Sequence, residues 1–126
     1  MSNYATSAIV LFGHGARDPE WAGPIRRLAD AIRAQSPAQA VSLAFLEFMS
    51  PTLPEAVEQL IAGGAKQVTV VPVFLAQGGH VRRDVPEMLE RLRAAHPAVS
   101  LRLAAALGES DAVIAAMAQV ALDGSR

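Results

Sequence analysis

Apolar residues along this chain fall into short unbroken runs, separated by stretches in which they recur every three or four positions. Short continuous runs suit strands buried on both faces of a parallel sheet, and the spaced stretches suit helices that cover such a sheet. Ser7 to Phe12, bounded by Gly13, predicts the first strand. Pro19 then opens a helix carrying Trp21, Ile25, Leu28, Ala29 and Ile32 at helical spacing, which ends before Pro37. Val41 to Leu46 predicts a second strand. Ser50-Pro51-Thr52 marks the start of a second helix, with Leu53, Val57, Leu60 and Ile61 on one face and Gly63-Gly64 at its close. Lys66 to Leu75 predicts the third strand; Pro72 has no N–H for the ladder and belongs near the strand's end or on a bulge. A third helix is expected from about Asp84 to Ala95, with Pro86 in its first turn and Val85, Met88, Leu89 and Leu92 towards the core. Val99 to Leu103 gives the fourth strand, and Ser110 caps a last helix from Asp111 to Leu122.

This alternation predicts the α/β class: a flavodoxin-like, four-stranded parallel sheet with helices on both faces and right-handed crossovers. In the strand order 2-1-3-4 the winding reverses between the first and third strands, and α/β proteins bind ligands at the carboxyl ends of the strands beside such a reversal. His14, in Gly13-His14-Gly15, follows the first strand, and His80, in Gly78-Gly79-His80, follows the third. The two imidazoles are expected to face each other across that crevice, with Glu47 one strand away.

At 126 residues the chain is expected to form one domain, residues 1–126, burying roughly two-thirds of its unfolded surface. Hydrophobic residues make up 52% but aromatics only 5%, so the core must be built mainly from Ala, Val, Leu and Ile. A net charge of -1 supplies no overall field for nucleic acid or an anionic membrane. The absence of cysteine excludes disulfides, thiolate ligands and a cysteine nucleophile, leaving His, carboxylate or water to hold a metal. Met1 to Thr6 has no basic start or long apolar stretch of a signal peptide, and no apolar run approaches the roughly 18 residues of a membrane span. The expectation is a soluble, cytoplasmic protein.

Two imidazoles and a carboxylate suit a divalent ion such as Co, Fe, Ni or Zn with open positions for water or substrate. Neutral histidine also takes up protons near physiological pH, so the same pair can hold a metal, accept protons, or do both. Gly13, Gly15, Gly78 and Gly79 let a ligand approach the main chain. Arg17, Arg82 and Arg83 flank the two turns and suit an anionic ligand, since guanidinium binds carboxylate through paired donors. No dinucleotide or Walker glycine pattern is present. Trp21 and Met49 read as core residues, His96 as a surface residue, and Glu55, Glu58, Glu87 and Glu90 as solvated helix faces. A non-catalytic protein that stores or delivers a metal would need the same crevice as a catalyst. A histidine phosphatase is disfavoured, because Gly13 stands where that chemistry needs arginine.

Gly-His-Gly-Ala-Arg-Asp-Pro at 13–19, Phe45-Leu46-Glu47 with Pro51 downstream, and Pro72-Val73-Phe74-Leu75 leading to Gly79-His80-Val81 with Asp84 resemble the class II chelatases. The likeness is greatest to the short CbiX-type sirohydrochlorin chelatases and spans nearly the whole chain; Ala16 stands where members often carry serine. The resemblance implies insertion of a divalent ion, Co2+ first and Ni2+ or Fe2+ as alternatives, into the anionic tetrapyrrole sirohydrochlorin, with no organic cofactor. It implies that His14 and His80 bind the metal and act in catalysis, with Glu47 a further polar group at the metal. Longer relatives contain two such lobes, which implies a homodimer here.

Overall fold

The computed structural model describes residues 6–126, without the side chain of His80. Four strands, β1 (Ser7–Gly13), β2 (Ala40–Phe45), β3 (Gln67–Pro72) and β4 (Ser100–Leu103), form one parallel sheet in the order β2-β1-β3-β4. Helix α1 (Gly23–Gln35) joins β1 to β2, α2 (Leu53–Ala62) joins β2 to β3, and α3 (Gly79–Ala95) joins β3 to β4. Helix α4 (Asp111–Gly124) ends the chain. The expected topology is therefore present, and each strand lies within a few residues of its expected bounds. β3 ends at Pro72, where the missing N–H costs no further ladder bond.

The period-two alternation of the strands divides the core in two. On one face Ala8, Val10, Phe12, Val68 and Val70 pack with Val57 of α2 and Val85 and Leu89 of α3, all buried. On the other, Leu11 and Phe45 pack with Ile25 and Ala29 of α1. Arg93 ties α3 to β4 through two guanidinium bonds to the Leu101 carbonyl, at 3.1 and 2.7 Å. Helix α4 has no buried residue and packs chiefly on the short 3-10 turn Leu107–Glu109 that precedes it.

Several local expectations are corrected. Pro19 opens a 3-10 turn (Pro19–Ala22) rather than α1 itself; Asp18 accepts a bond from the Glu20 N–H at 2.9 Å and caps that turn. Helix α3 begins at Gly79, well before Asp84, because the carbonyl of Gly78 accepts the Arg82 N–H at 2.9 Å and closes an earlier turn. Pro86 consequently lies inside the helix rather than in its first turn. Pro86 and Arg82 are both exposed, so water can take the carbonyl that proline leaves without a helical donor. Ser110 occupies the N-cap position of α4, but its side chain makes no capping bond. Trp21 is 43% exposed rather than a core residue, and Met49 is half-buried.

Three of the four carboxylates assigned to solvated faces have partners. Thr52 and Glu55 form a reciprocal capping box at the start of α2, and Glu90 pairs with Arg93. Glu58 of α2 pairs at 2.7 Å with His96 at the end of α3, so His96 joins two helices instead of standing free at the surface.

Candidate active site

The site forms where β1, β2 and β3 run out at the carboxyl edge of the sheet. Gly13 of β1 is in register with Phe45 of β2, and the pairing continues past both strands: the Leu46 N–H donates to the Gly13 carbonyl at 3.0 Å, and the Glu47 N–H to the His14 carbonyl at 3.1 Å. On the other side the Val73 N–H donates to the Phe12 carbonyl at 2.8 Å. The loops that carry the candidate residues His14 and Glu47 are thus fixed by main-chain bonds to neighbouring strand ends.

Gly15 explains how His14 and Glu47 come so close. It adopts φ +93°, and a Cβ at this position would lie 1.9 Å from the Glu47 carbonyl oxygen. Only glycine permits that approach. The outcome is that His14 Nδ1 lies 3.7 Å from Glu47 Oε1, with the two side chains 52% and 49% exposed. That spacing is longer than a direct hydrogen bond, and both polar ends remain accessible to a ligand. The His14 ring also meets Phe74 edge-on, with centroids 6.4 Å apart, and Phe74 in turn meets Phe12 at 5.7 Å. Aromatic packing thereby steadies one side of the imidazole.

His80, expected in a turn after the third strand, is instead the second residue of α3, whose first turn follows the end of β3. Its side chain lies outside the described residues. Among the described residues no group of three or more potential ligands gathers at one point; His14 and Glu47 form a pair.

The remaining candidates divide by role. At Gly13 a Cβ would meet Ile25 Cδ1 at 3.1 Å and Trp21 Cη2 at 3.4 Å, so close packing on α1 accounts for this glycine. Gly78 and Gly79 have open space where a side chain would be. Arg82 donates to the Gln77 carbonyl at 3.0 Å from the first turn of α3, and Arg83 is exposed beside it. Arg17 lies over the ring of Phe48, its guanidinium carbon 5.0 Å from the centroid.

Phe48 was not singled out from sequence. It follows Glu47, is 58% exposed, and holds φ +67°, a left-handed conformation that costs a bulky residue roughly 1–2 kcal/mol. Backbone strain of this kind clusters at active sites and ligand clamps. The run Phe45-Leu46-Glu47-Phe48-Met49 offers no signal for it, because an apolar residue after a strand reads as packing. Leu75, 72% exposed after β3, adds a second apolar group to the rim.

The fold and the site together make a single-sheet α/β lobe with an open, imidazole-bearing carboxyl edge. The sequence model of the CbiX family matches residues 8–123, and the chain belongs to that family. It superposes with a TM-score of 0.81 and 35% identity on a CbiX protein of Marinobacter aquaeolei VT8 assigned to cobalamin (vitamin B12) biosynthesis, over 94% of this chain and 96% of that one. It is similar also to the sirohydrochlorin chelatase SirB of Bacillus subtilis subspecies spizizenii in complex with cobalt, with a TM-score of 0.78, 25% identity, and coverage of 94% of this chain and 50% of SirB. Among curated relatives, the sirohydrochlorin cobaltochelatase of Methanococcus aeolicus is 40% identical over 82 residues, 65% of this chain. That alignment takes in 57% of the relative's own length. Among the described residues no helix is long and apolar enough to cross a membrane.

Proposed function

We propose that this chain is a sirohydrochlorin chelatase that inserts a divalent ion, Co2+ in first place and Ni2+ or Fe2+ as alternatives, into the tetrapyrrole. The observation that carries the reading is the His14–Glu47 pair, half-exposed and 3.7 Å apart at the carboxyl edge of the sheet. Insertion replaces two pyrrolic N–H protons by one metal ion, so the protein must accept protons where it releases the metal. An accessible imidazole can serve as a base near neutral pH, and an adjacent carboxylate favours both a cation and a protonated imidazole. Both metal and macrocycle are substrates; no organic cofactor enters the scheme.

In this scheme His14 and His80 bind the incoming ion and take up the ring protons, and Glu47 supplies an oxygen ligand or holds the His14 imidazolium. Arg17, Arg82 and Arg83 lie at the edge where ring carboxylates would need cations. Gly15, Gly78 and Gly79 shape the loops the macrocycle approaches, and Phe48 and Leu75 give it apolar area. Residues 1–126 act as one domain in the cytoplasm. Two copies together supply the two lobes that enclose the ring, a reading supported by the 50% share of SirB that one chain covers.

The test is the absorbance of sirohydrochlorin with Co2+ at neutral pH and catalytic amounts of protein. Multiple-turnover loss of the metal-free spectrum, abolished in His14→Ala and His80→Ala, is the expected result. Tight binding of the ring without acceleration would replace the reading by that of a carrier.

A further inference from the structure

Two of the nine glycines bring their backbone so close to another segment that a Cβ would collide with it: Gly15, set against Glu47, and Gly108. At Gly108 a Cβ would lie 2.0 Å from the Leu75 carbonyl oxygen and 2.3 Å from Leu75 Cα. Gly108 belongs to the 3-10 turn Leu107–Glu109 that precedes α4, far from Leu75 in the sequence. The turn is closed by its own bonds, from the Glu109 N–H to the Ala106 carbonyl at 2.9 Å and from the Ser110 N–H to the Leu107 carbonyl at 3.1 Å, and Ala106 at its base is buried. The Gly108 N–H points away from the turn and donates to the Phe74 carbonyl at 2.9 Å.

That bond holds one wall of the site. Between the end of β3 at Pro72 and the start of α3 at Gly79 the chain has no regular structure. Val73 is tied to Phe12 at one end of this segment, and Arg82 of α3 bonds the Gln77 carbonyl at the other. In the middle, Gly108 supplies the tie. Side-chain packing leaves this stretch room to shift: Leu75 is 72% exposed, and a groove of about 300 Å³ runs between Phe74, Leu75 and Leu107. Phe74 is the ring that meets His14 edge-on, at 6.4 Å between centroids and 71° between planes.

We propose that Gly108 is a positioning residue for the reaction: its backbone holds Phe74 where the ring edge sets the His14 imidazole. The inference rests on the role given to His14 above. His14 then lies between two neighbours, Glu47 and Phe74, each fixed by a backbone approach that glycine alone allows. A Cβ essentially never comes closer than 3.0 Å to such atoms, so any side chain at position 108 pushes the Phe74–Leu75 backbone away by about 1 Å, and a misplacement of ~1 Å in a site costs roughly 10²-fold in rate. The loss falls on kcat more than on KM, because the imidazole is displaced while the arginines at the edge are untouched.

Gly108→Ala and Glu109→Ala in the full chain test this, the second altering the same turn without adding a Cβ. Two readouts are taken: steady-state chelation of Co2+ into sirohydrochlorin, and the proton NMR resonances of the His14 ring, identified by their loss in His14→Ala. Gly108→Ala is expected to lower kcat by about 10–10²-fold with a smaller change in KM, and to shift the His14 resonances, which lie in the ring current of Phe74. Glu109→Ala should leave both as in wild type. If Gly108→Ala loses its folded circular dichroism, Phe74→Leu carries the test, since it removes the ring and keeps the backbone bond; the same fall in kcat and the same kind of shift are expected. Folded variants with wild-type His14 resonances would overturn the inference, as would shifted resonances with an unchanged kcat. The resonances need no tetrapyrrole, so an inactive wild-type chain would sink the chelatase reading while they still decide whether Gly108 sets His14 through Phe74.

Discussion

Gly15 and Glu47 are in contact through their backbones so closely that a single added methyl group at position 15 would fall 1.9 Å from the Glu47 carbonyl oxygen. The φ of +93° at Gly15 adds conformational strain to that collision for any other residue. Gly15→Ala is therefore expected to destabilise the fold by more than about 1 kcal/mol, and to displace Glu47 from His14. Thermal unfolding and chelation rate together check this. An alanine variant with unchanged melting temperature and unchanged rate would show that the loop gives way freely.

His14 is half-exposed and meets the edge of Phe74. Its replacement by alanine should leave stability nearly untouched while lowering kcat by about 10²–10⁴-fold, the usual contribution of a positioned proton acceptor. Glu47→Gln keeps shape and removes charge, so it should lower the rate less than His14→Ala does. Steady-state kinetics with Co2+ in excess would reveal the order, and equal losses would argue that Glu47 acts as a ligand in its own right.

Phe48 stores backbone strain next to the site. Phe48→Gly relieves the left-handed φ and should raise the melting temperature, whereas loss of the aromatic face and of its contact with Arg17 should raise KM for the tetrapyrrole. A variant that gains stability without any change in KM would assign Phe48 a purely structural part.

The capping box of α2 predicts a pH dependence. The backbone N–H of Thr52 first, and its hydroxyl second, hold the Glu55 carboxyl below its ordinary value. A carboxyl lowered in the folded state stabilises the fold above its unfolded pKa, and that contribution is lost as pH falls through the folded value. The melting-temperature gap between wild type and Glu55→Ala should thus be present at pH 7 and close in acid below the glutamate range. Thr52→Ala should cost about 1 kcal/mol at neutral pH. Melting curves across pH decide, and a gap that persists in strong acid would show that the carboxylate's charge is not what stabilises the cap.

Much of this was legible before any coordinates. Strands buried on both faces leave unbroken apolar runs, so β1 and β3 announced themselves, and alternation with helix-spaced segments fixed the parallel topology. The site edge followed from topology alone, because His14, Glu47 and the loop holding Gly78 all come directly after predicted strands. Phe48 was missed since its importance lies in a backbone angle rather than in a residue type. His96 and Glu58, distant in sequence, were read as unrelated surface residues, because nothing local records that α2 and α3 lie side by side.

What the sequence by itself determined is therefore the order and kind of the elements, the sheet topology and the edge on which the candidate residues gather. These rest on periodicity and on turn residues, which are local properties. Only the tertiary structure decided the 3.7 Å approach of His14 to Glu47 through Gly15, the strained Phe48 under Arg17, and the exposure of α4. Each of these depends on which surfaces meet across long sequence separations. The apolar pattern of α4 is the clearest case: it encodes a need for burial, and only the packed chain reveals that among the described residues that need is not met.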